Sequence, residues 1–344
     1  MEIFEAPSRE LPAVAASSVE TARFVTSAGV QAPSVHNTQP WRFFQGDREI
    51  SIVADNERQL RVADPDGREM MISCGAALFN VRVALRYLGF VPKTRVLPDP
   101  ALPNLVARVS WDEQIPPIEY EKKLFAEIAR RRTHRGGFGP LPPPAALTEI
   151  LPREAAREKA VLTLVSGNAL LESAVAAVVQ AGDCALRLDS ARAQEQARWA
   201  PGPGSHRRDG VPPTAYPADP GHTDPEFATR DFAHGHGWGL PPDVQDAEAR
   251  SAGMIALLTT AVDQPSDWIH AGQALQRVLL TASTCQVSAA LHSQPLEIPL
   301  LRDFIRVHLT GHAYPQMVLR LGLTSQHGAT VRRPAEEVLR KIRI

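Results

Sequence analysis

Residues 32–43 read APSVHNTQPWRF, a polar, turn-forming run that passes directly into an apolar, aromatic one. Pro33 and Pro40 stiffen the run, because a pyrrolidine ring fixes φ. Between them Ser34, Asn37, Thr38 and Gln39 bring hydroxyls, amides and backbone N–H groups to one short arc. Such an arc can hydrogen-bond a flat heterocycle that presents both donors and acceptors. An ordinary helix-to-strand connection with Trp41 as its core anchor would use the same residues.

Upstream, Ser17 or Ser18 followed by VETARFVTSA predicts a capped helix, with Val19, Ala22 and Val25 at helical spacing. Downstream, residues 41–44 and 49–53 predict two short strands around the turn Gln45-Gly46-Asp47-Arg48. In residues 70–88, MMISCGAALFNVRVALRYL, a stripe of Leu78, Val81, Leu85 and Leu88 predicts a helix, and Gly89 stands where its C-cap is expected. Residues 105–109 read as a strand, and Pro116-Pro117 marks a boundary between residues 1–116 and 117–344.

The second part opens with a predicted helix over 121–132 that runs into RRRTHRGGF at 130–138. Four arginines within six residues repel one another unless water or an anion intervenes. Phosphate suits them, since guanidinium groups bind it bidentately and Thr133 adds a hydroxyl. Residues 182–239 are crowded with Pro, Gly, His and Arg and predict a long insert without core character. Trp199, Tyr216, Phe227, Phe232 and Trp238, spaced along it, can pin such an insert down as a lid. A helix over 271–286 and a strand over 316–321 follow.

Two matches hint at duplication. Gly75-x-Ala77-Leu78-x-x-Val81 recurs as Gly272-x-Ala274-Leu275-x-x-Val278, and Val106-Ala-Arg-Val109 recurs as Val318-Leu-Arg-Leu321.

With 37 basic and 38 acidic residues the formal charge is −1, and no long basic stripe offers itself to nucleic acid. Cys74, Cys184 and Cys285 are odd in number, far apart and outside any C-x-x-C pair, as expected of thiols in a reducing compartment. The first residues lack a signal-peptide core, and no stretch approaches the roughly 18 to 20 uninterrupted apolar residues of a membrane span. A cytoplasmic protein that binds neither membrane nor nucleic acid is expected. His222, His234 and His236 form a loose candidate metal set, though no metal site is expected.

APSVHNTQPWRF resembles the APS-x-x-N-x-Q-P-W segment of the nitroreductase superfamily of FMN-dependent flavoproteins, and more closely its Acg-type branch. RRRTHRGGF resembles the R-R-S/T-x-R-x-F element of the same superfamily, and RRDGVP at 207–212 resembles the wording of the Acg-type insert that covers the flavin. The resemblance implies an α+β fold of two fused nitroreductase-like halves, a pseudo-dimer carrying the 182–239 lid. It implies one FMN site in which Pro33, Ser34, His36, Asn37 and Gln39 meet the flavin, while Arg131, Arg132, Thr133 and Arg135 hold the phosphate and ribityl chain. Ser293 and Pro295 stand in the place of a loop beside the ring. Arg332 matches a further phosphate-binding position, although the lysine that the family carries two residues earlier is Thr330 here.

The implied activity is NAD(P)H-dependent reduction of nitroaromatics or quinones, with the nicotinamide as a transient co-substrate and a small-molecule electron acceptor. The absence of G-x-G-x-x-G after a strand agrees with transient use. An FMN-sequestering protein whose lid denies nicotinamide access is the alternative. The catalytic residues are left open, as is the choice between a monomeric pseudo-dimer and a homodimer.

Overall fold

The protein is described by a computed structural model covering residues 17–219, 221–241, 250–326 and 328–341; the N-terminal stretch read above for targeting signals lies outside them up to residue 16. In chain order the elements are α1 (Ser18–Gly29), β1 (Trp41–Gln45), β2 (Glu49–Ala54), α2 (Arg68–Tyr87), β3 (Lys93–Val96), β4 (Leu105–Ser110), α3 (Glu119–Arg130) and α4 (Leu147–Ala156). There follow β5 (Val161–Leu164), α5 (Ala169–Leu188), α6 (Ser190–Arg198), β6 (Thr223–Asp224), β7 (Arg250–Ser251), β8 (Met254–Thr260) and α7 (Pro265–Ser283). The chain ends with β9 (Ser288–His292), α8 (Pro299–His308), β10 (Tyr314–Gly322), α9 (Ala335–Val338) and β11 (Leu339–Lys341). The α+β expectation holds.

Two main sheets flank a central pair of helices. One has the order β11-β1-β2-β4-β3 and the other β5-β8-β10-β9. All their pairings are antiparallel except that of β1 with β11. Trp41, Phe43, Ile50 and Ile52 of the first sheet pack with Leu78 and Val81 of α2, and Leu258 and Leu319 of the second pack with Leu275 and Val278 of α7. Ile269 of α7 sits in the first core and Ile72 of α2 in the second, so the two cores interlock.

The recurring glycines explain how α2 and α7 approach. A Cβ on Gly75 would stand 2.2 Å from the Ile269 carbonyl oxygen, and one on Gly272 would stand 2.0 Å from that of Ile72. Only glycine permits this backbone contact.

α1 begins as expected: Ser17 caps it, and its hydroxyl accepts from the Glu20 amide at 3.3 Å. The stretch 182–239 departs from expectation. Its first part is helical, since α5 runs to Leu188 and α6 to Arg198, and the irregular chain begins only beyond α6. Ala, Leu, Gln and Arg dominate residues 185–198, whereas the prolines and glycines cluster after residue 200. One helix bears on the reading of membrane spans, although Glu172, Asp183 and Arg187 interrupt its apolar run. Ala169–Leu188 is long and apolar enough to cross a membrane by length and composition, with a mean hydropathy of 1.4. One face of it, including Val175, Val179 and Leu186, is buried, and Val175 and Val179 pack into a core cluster with Leu296 and Ile305.

Candidate functional site

The turn after α1 is built by its own side chains. Ser34 Oγ accepts from the Gln39 amide at 2.9 Å, and the Ser34 carbonyl accepts from that of Asn37 at 3.0 Å. His36, Asn37 and Gln39 have φ of 46°, 54° and 52°. Left-handed backbone at non-glycine residues is costly and persists where the surroundings impose it.

Two distant segments do so here. Asn37 Nδ2 donates to the carbonyls of Gly210 at 2.8 Å and Val331 at 3.0 Å, and its Oδ1 accepts from Arg332 at 2.7 Å. Gln39 Nε2 donates to the Arg208 carbonyl at 2.7 Å, and its Oε1 accepts from the Arg333 backbone N–H, also at 2.7 Å. The amides of Asn37 and Gln39 thus fasten the insert and the tail to the turn. Arg58 adds an ion pair to Asp209 at 3.0 Å.

At the end of α3 the backbone of Arg131 leaves helical geometry, with ψ at 126°. Residues 131–135 then run beside β9, where the His134 amide donates to the Ala289 carbonyl at 2.8 Å. Arg131, Arg135 and Arg332 gather there. Their hydrogen-bond partners are neutral: the Thr133 and Thr330 hydroxyls, backbone carbonyls and the Asn37 side-chain oxygen. Arg131 Nε and Arg332 Nε are buried with no partner.

Burial, and then the charges of Arg132 and Arg135, push Arg131 down to about 9. Burial alone pushes Arg135 to about 10. Arg332 is held well below its ordinary value by burial and by the charges of Arg131, Arg132 and Arg135. Guanidinium groups, one buried and two half-buried, crowded together with no carboxylate partner among the described residues call for an anion from outside the chain. Arg132 is more exposed and caps the end of α3, donating to the carbonyls of Ala129 at 2.6 Å and Arg131 at 2.9 Å.

The cluster opens into a cavity of about 110 Å³, shared through Thr133 and Arg135. A single water needs about 10–15 Å³ by this measure, so the space holds several waters or a flat ring in their place. Pro33, Ser34, His36 and Ser293 also line it; Asn37, Gln39 and Pro295 do not. Burial, and then Arg230 and Arg135, keep His36 well below the ordinary imidazole value. It is a neutral ring with an unpartnered buried Nδ1.

Other wall residues carry no contiguous motif: Glu69 of α2, Arg230 and Phe232 of the insert, His292 of β9 and Arg320 of β10. Arg320 is fully buried, donating to His292 Nε2 at 2.9 Å, with its guanidinium 4.9 Å from the Phe227 ring centre. Phe232 stands edge-on to His36 and under the Arg135 guanidinium. A charged residue alternating with apolar ones in the β10 sequence VLRL was the one signal available for Arg320.

The loose metal set does not assemble. Among the described residues no group of three His, Cys, Asp or Glu side chains could hold a metal ion. His222 instead faces Glu226 at 3.1 Å and His236 stacks on Trp238.

No family model matches the chain. A Mycobacterium tuberculosis protein named Putative NAD(P)H nitroreductase Rv3131 is 36% identical over 309 residues, covering 88% of this chain and 85% of that protein. Another from the same organism, Putative NAD(P)H nitroreductase acg, is 26% identical over 318 residues, covering 90% and 92%. Among solved structures, a nitroreductase of Anabaena variabilis aligns over 85% of this chain and 82% of its own, with 11% identity and a TM-score of 0.46. A nitroreductase of Desulfitobacterium hafniense with bound FMN covers 64% of this chain and 98% of its own, with 13% identity and a TM-score of 0.39. The sequence relatives carry the assignment: over nearly nine-tenths of its length this chain is a member of the NAD(P)H nitroreductase family.

Proposed function

We propose that this protein is an FMN-dependent NAD(P)H oxidoreductase that reduces quinones or nitroaromatics. The supporting observation is the cluster of the buried Arg131 and the half-buried Arg135 and Arg332, with no carboxylate bonded to them among the described residues, continuous with a cavity walled by residues 33–36. A mononucleotide supplies what each part lacks, a dianionic phosphate for the guanidinium groups and a flat heterocycle for the cavity.

In this reading Arg131, Arg135, Thr133 and Arg332 hold the phosphate by charge-assisted hydrogen bonds. Pro33, Ser34, His36 and Ser293 flank the ring, with His36 neutral. Bound flavin supplies two-electron transfer between a nicotinamide and an acceptor. The chain supplies orientation and a water-poor wall. The interlocked cores and the glycine pair at the α2–α7 crossing support a duplicated architecture whose two halves share one site.

One observation favours a second reading. The insert is bonded to the turn through Asn37, Gln39 and Arg58, and its Phe232 stands in the cavity wall. A cover fixed in this way suits flavin storage without nicotinamide access. Anaerobic mixing of FMN-loaded protein with NADPH separates the two. The oxidoreductase bleaches the yellow flavin band within seconds; an unchanged band overturns that reading and leaves storage.

A further inference from the structure

Between the cavity just described and a second, larger one of about 600 Å³ lies a wall of charged side chains. Glu69 belongs to the first cavity, and Asp64, Arg68 and Glu297 belong to the second. The second reaches water at its rim, where Pro65, Asp66 and Asp303 are exposed.

The groups that act on Glu69 are Arg68 on its own helix, Asp64 on the preceding loop, Glu297 on the turn before α8 and Arg230 of the insert. Beyond them Arg302 and Asp263 form their own bidentate pair. Arg192, which donates to the Glu297 carbonyl at 3.2 Å, has its own partner in Asp189 at 3.3 Å; three carboxylates therefore face two guanidinium groups, and a buried site settles that imbalance by keeping one carboxyl protonated.

Hydrogen bonding selects which one. Glu297 Oε1 accepts from two donors, Arg230 at 2.5 Å and Ser293 Oγ at 2.8 Å, while its Oε2 is buried and unpartnered. Asp64 accepts from the Glu69 and Met70 backbone amides at 3.0 and 2.9 Å. Glu69 has a single partner, Arg68, on Oε1; its Oε2 is buried and unpartnered, and the residue is 4% exposed. Burial, and then the Glu297 charge, raise its carboxyl well above the ordinary value.

We propose that Glu69 carries its proton on Oε2 and gives it to the electron acceptor in the first cavity, and that the proton is replaced from the second cavity by way of Glu297. The proposal rests on the oxidoreductase reading. When a quinone accepts a hydride equivalent originating in NAD(P)H, which leaves as NAD(P)⁺, it becomes a hydroquinone monoanion. One more proton completes the hydroquinone. The Glu69 O–H bond breaks, the quinone O–H bond forms, and the carboxylate left behind takes a proton relayed from water.

Glu69→Gln tests this, since a carboxamide copies the shape and neutrality of the acid but has no acidic proton to give. The infrared spectrum of the flavin-free protein at neutral pH should contain the carbonyl stretch of a buried carboxylic acid, absent in E69Q. In stopped flow, reoxidation of E69Q by a quinone should be about 100-fold slower than that of the wild type, the usual reach of a general acid, and slowed more than its reduction by NADPH. Reoxidation of the wild type should slow in D₂O. An infrared band that persists in E69Q, reoxidation within twofold of wild type, or no solvent isotope effect in the wild type would each overturn the proposal. Wild-type protein that binds FMN yet is not reduced by NADPH would instead overturn the oxidoreductase reading and remove the donor role with it, a result distinguishable because the infrared band would still be present.

Discussion

Two clusters of buried and half-buried arginines in this molecule have opposite surroundings. Arg277 on α7 reaches Glu154 and Glu158 at 2.9 Å each and lies 4.9 Å from the centre of the Phe79 ring. Arg82 on α2 shares Glu158 at 2.6 Å. Arg131, Arg135 and Arg332 have neutral partners and one another's repulsion. A buried ion pair fastens elements together, whereas a buried cation without a partner is held in place by the rest of the fold for something that comes and goes. In the proposed reading the first set is architecture and the second a receptor.

Breaking the paired set should have the largest effect. Arg277→Met removes two charge-assisted contacts, leaving Glu158 to Arg82 and Glu154 to Arg157, and should cost about 3–5 kcal/mol of stability in chemical denaturation, with FMN affinity per folded molecule unchanged. Arg131→Ala should do the reverse. Losing one charge-assisted contact, roughly 1.5–3 kcal/mol, weakens FMN retention about tenfold or more in equilibrium dialysis, while the flavin-free protein is as stable as wild type or more so. Equal stability losses in both variants would erase the distinction.

Inorganic phosphate sharpens the contrast. At about 100 times its dissociation constant it should stabilise the flavin-free wild type by about 2.7 kcal/mol, and Arg131→Ala by clearly less, as read by thermal melting. A pH effect belongs to the same cluster. Arg131 is held at about 9, well below its ordinary value, so above about pH 9 the folded chain binds fewer protons than the unfolded one and stability rises with pH. Bound phosphate, by restoring the charge, should flatten that rise.

The smallest effect concerns the cavity histidines. His36 and His292 are both held well below 6.5, chiefly by burial. As pH falls through 6.5 the unfolded chain takes up protons that the folded one refuses, so stability should decline towards acid. Replacing both by Gln should remove that part of the decline.

How much could be read in advance depended on whether a feature is contiguous in the chain. The 34–39 turn and the 130–135 arginines were legible because their chemistry lies within a few neighbouring residues. Glu69, Arg230, His292 and Arg320 were not, because α2, the insert, β9 and β10 bring them together only on folding. Asn37 and Gln39 were singled out for the right turn but bond to carbonyls and an amide far away in sequence, which no local pattern reveals. α5 and α6 were lost because the Pro- and Gly-rich stretch after residue 200 coloured the whole of 182–239. β9 was hidden because Ser288–His292 is short and mixes small and polar residues.

The parallel pairing of β11 with β1, together with the bonds from Arg332 and Arg333 back to Asn37 and Gln39, sets an order on biosynthesis. A nascent polypeptide that has emerged only as far as β10 still lacks both an edge of its first sheet and one of the three clustered guanidinium groups. In the proposed reading, affinity for a phosphorylated ligand waits until β11 and the segment before it have joined the first sheet, so a chain stopped at β10 should not retain FMN.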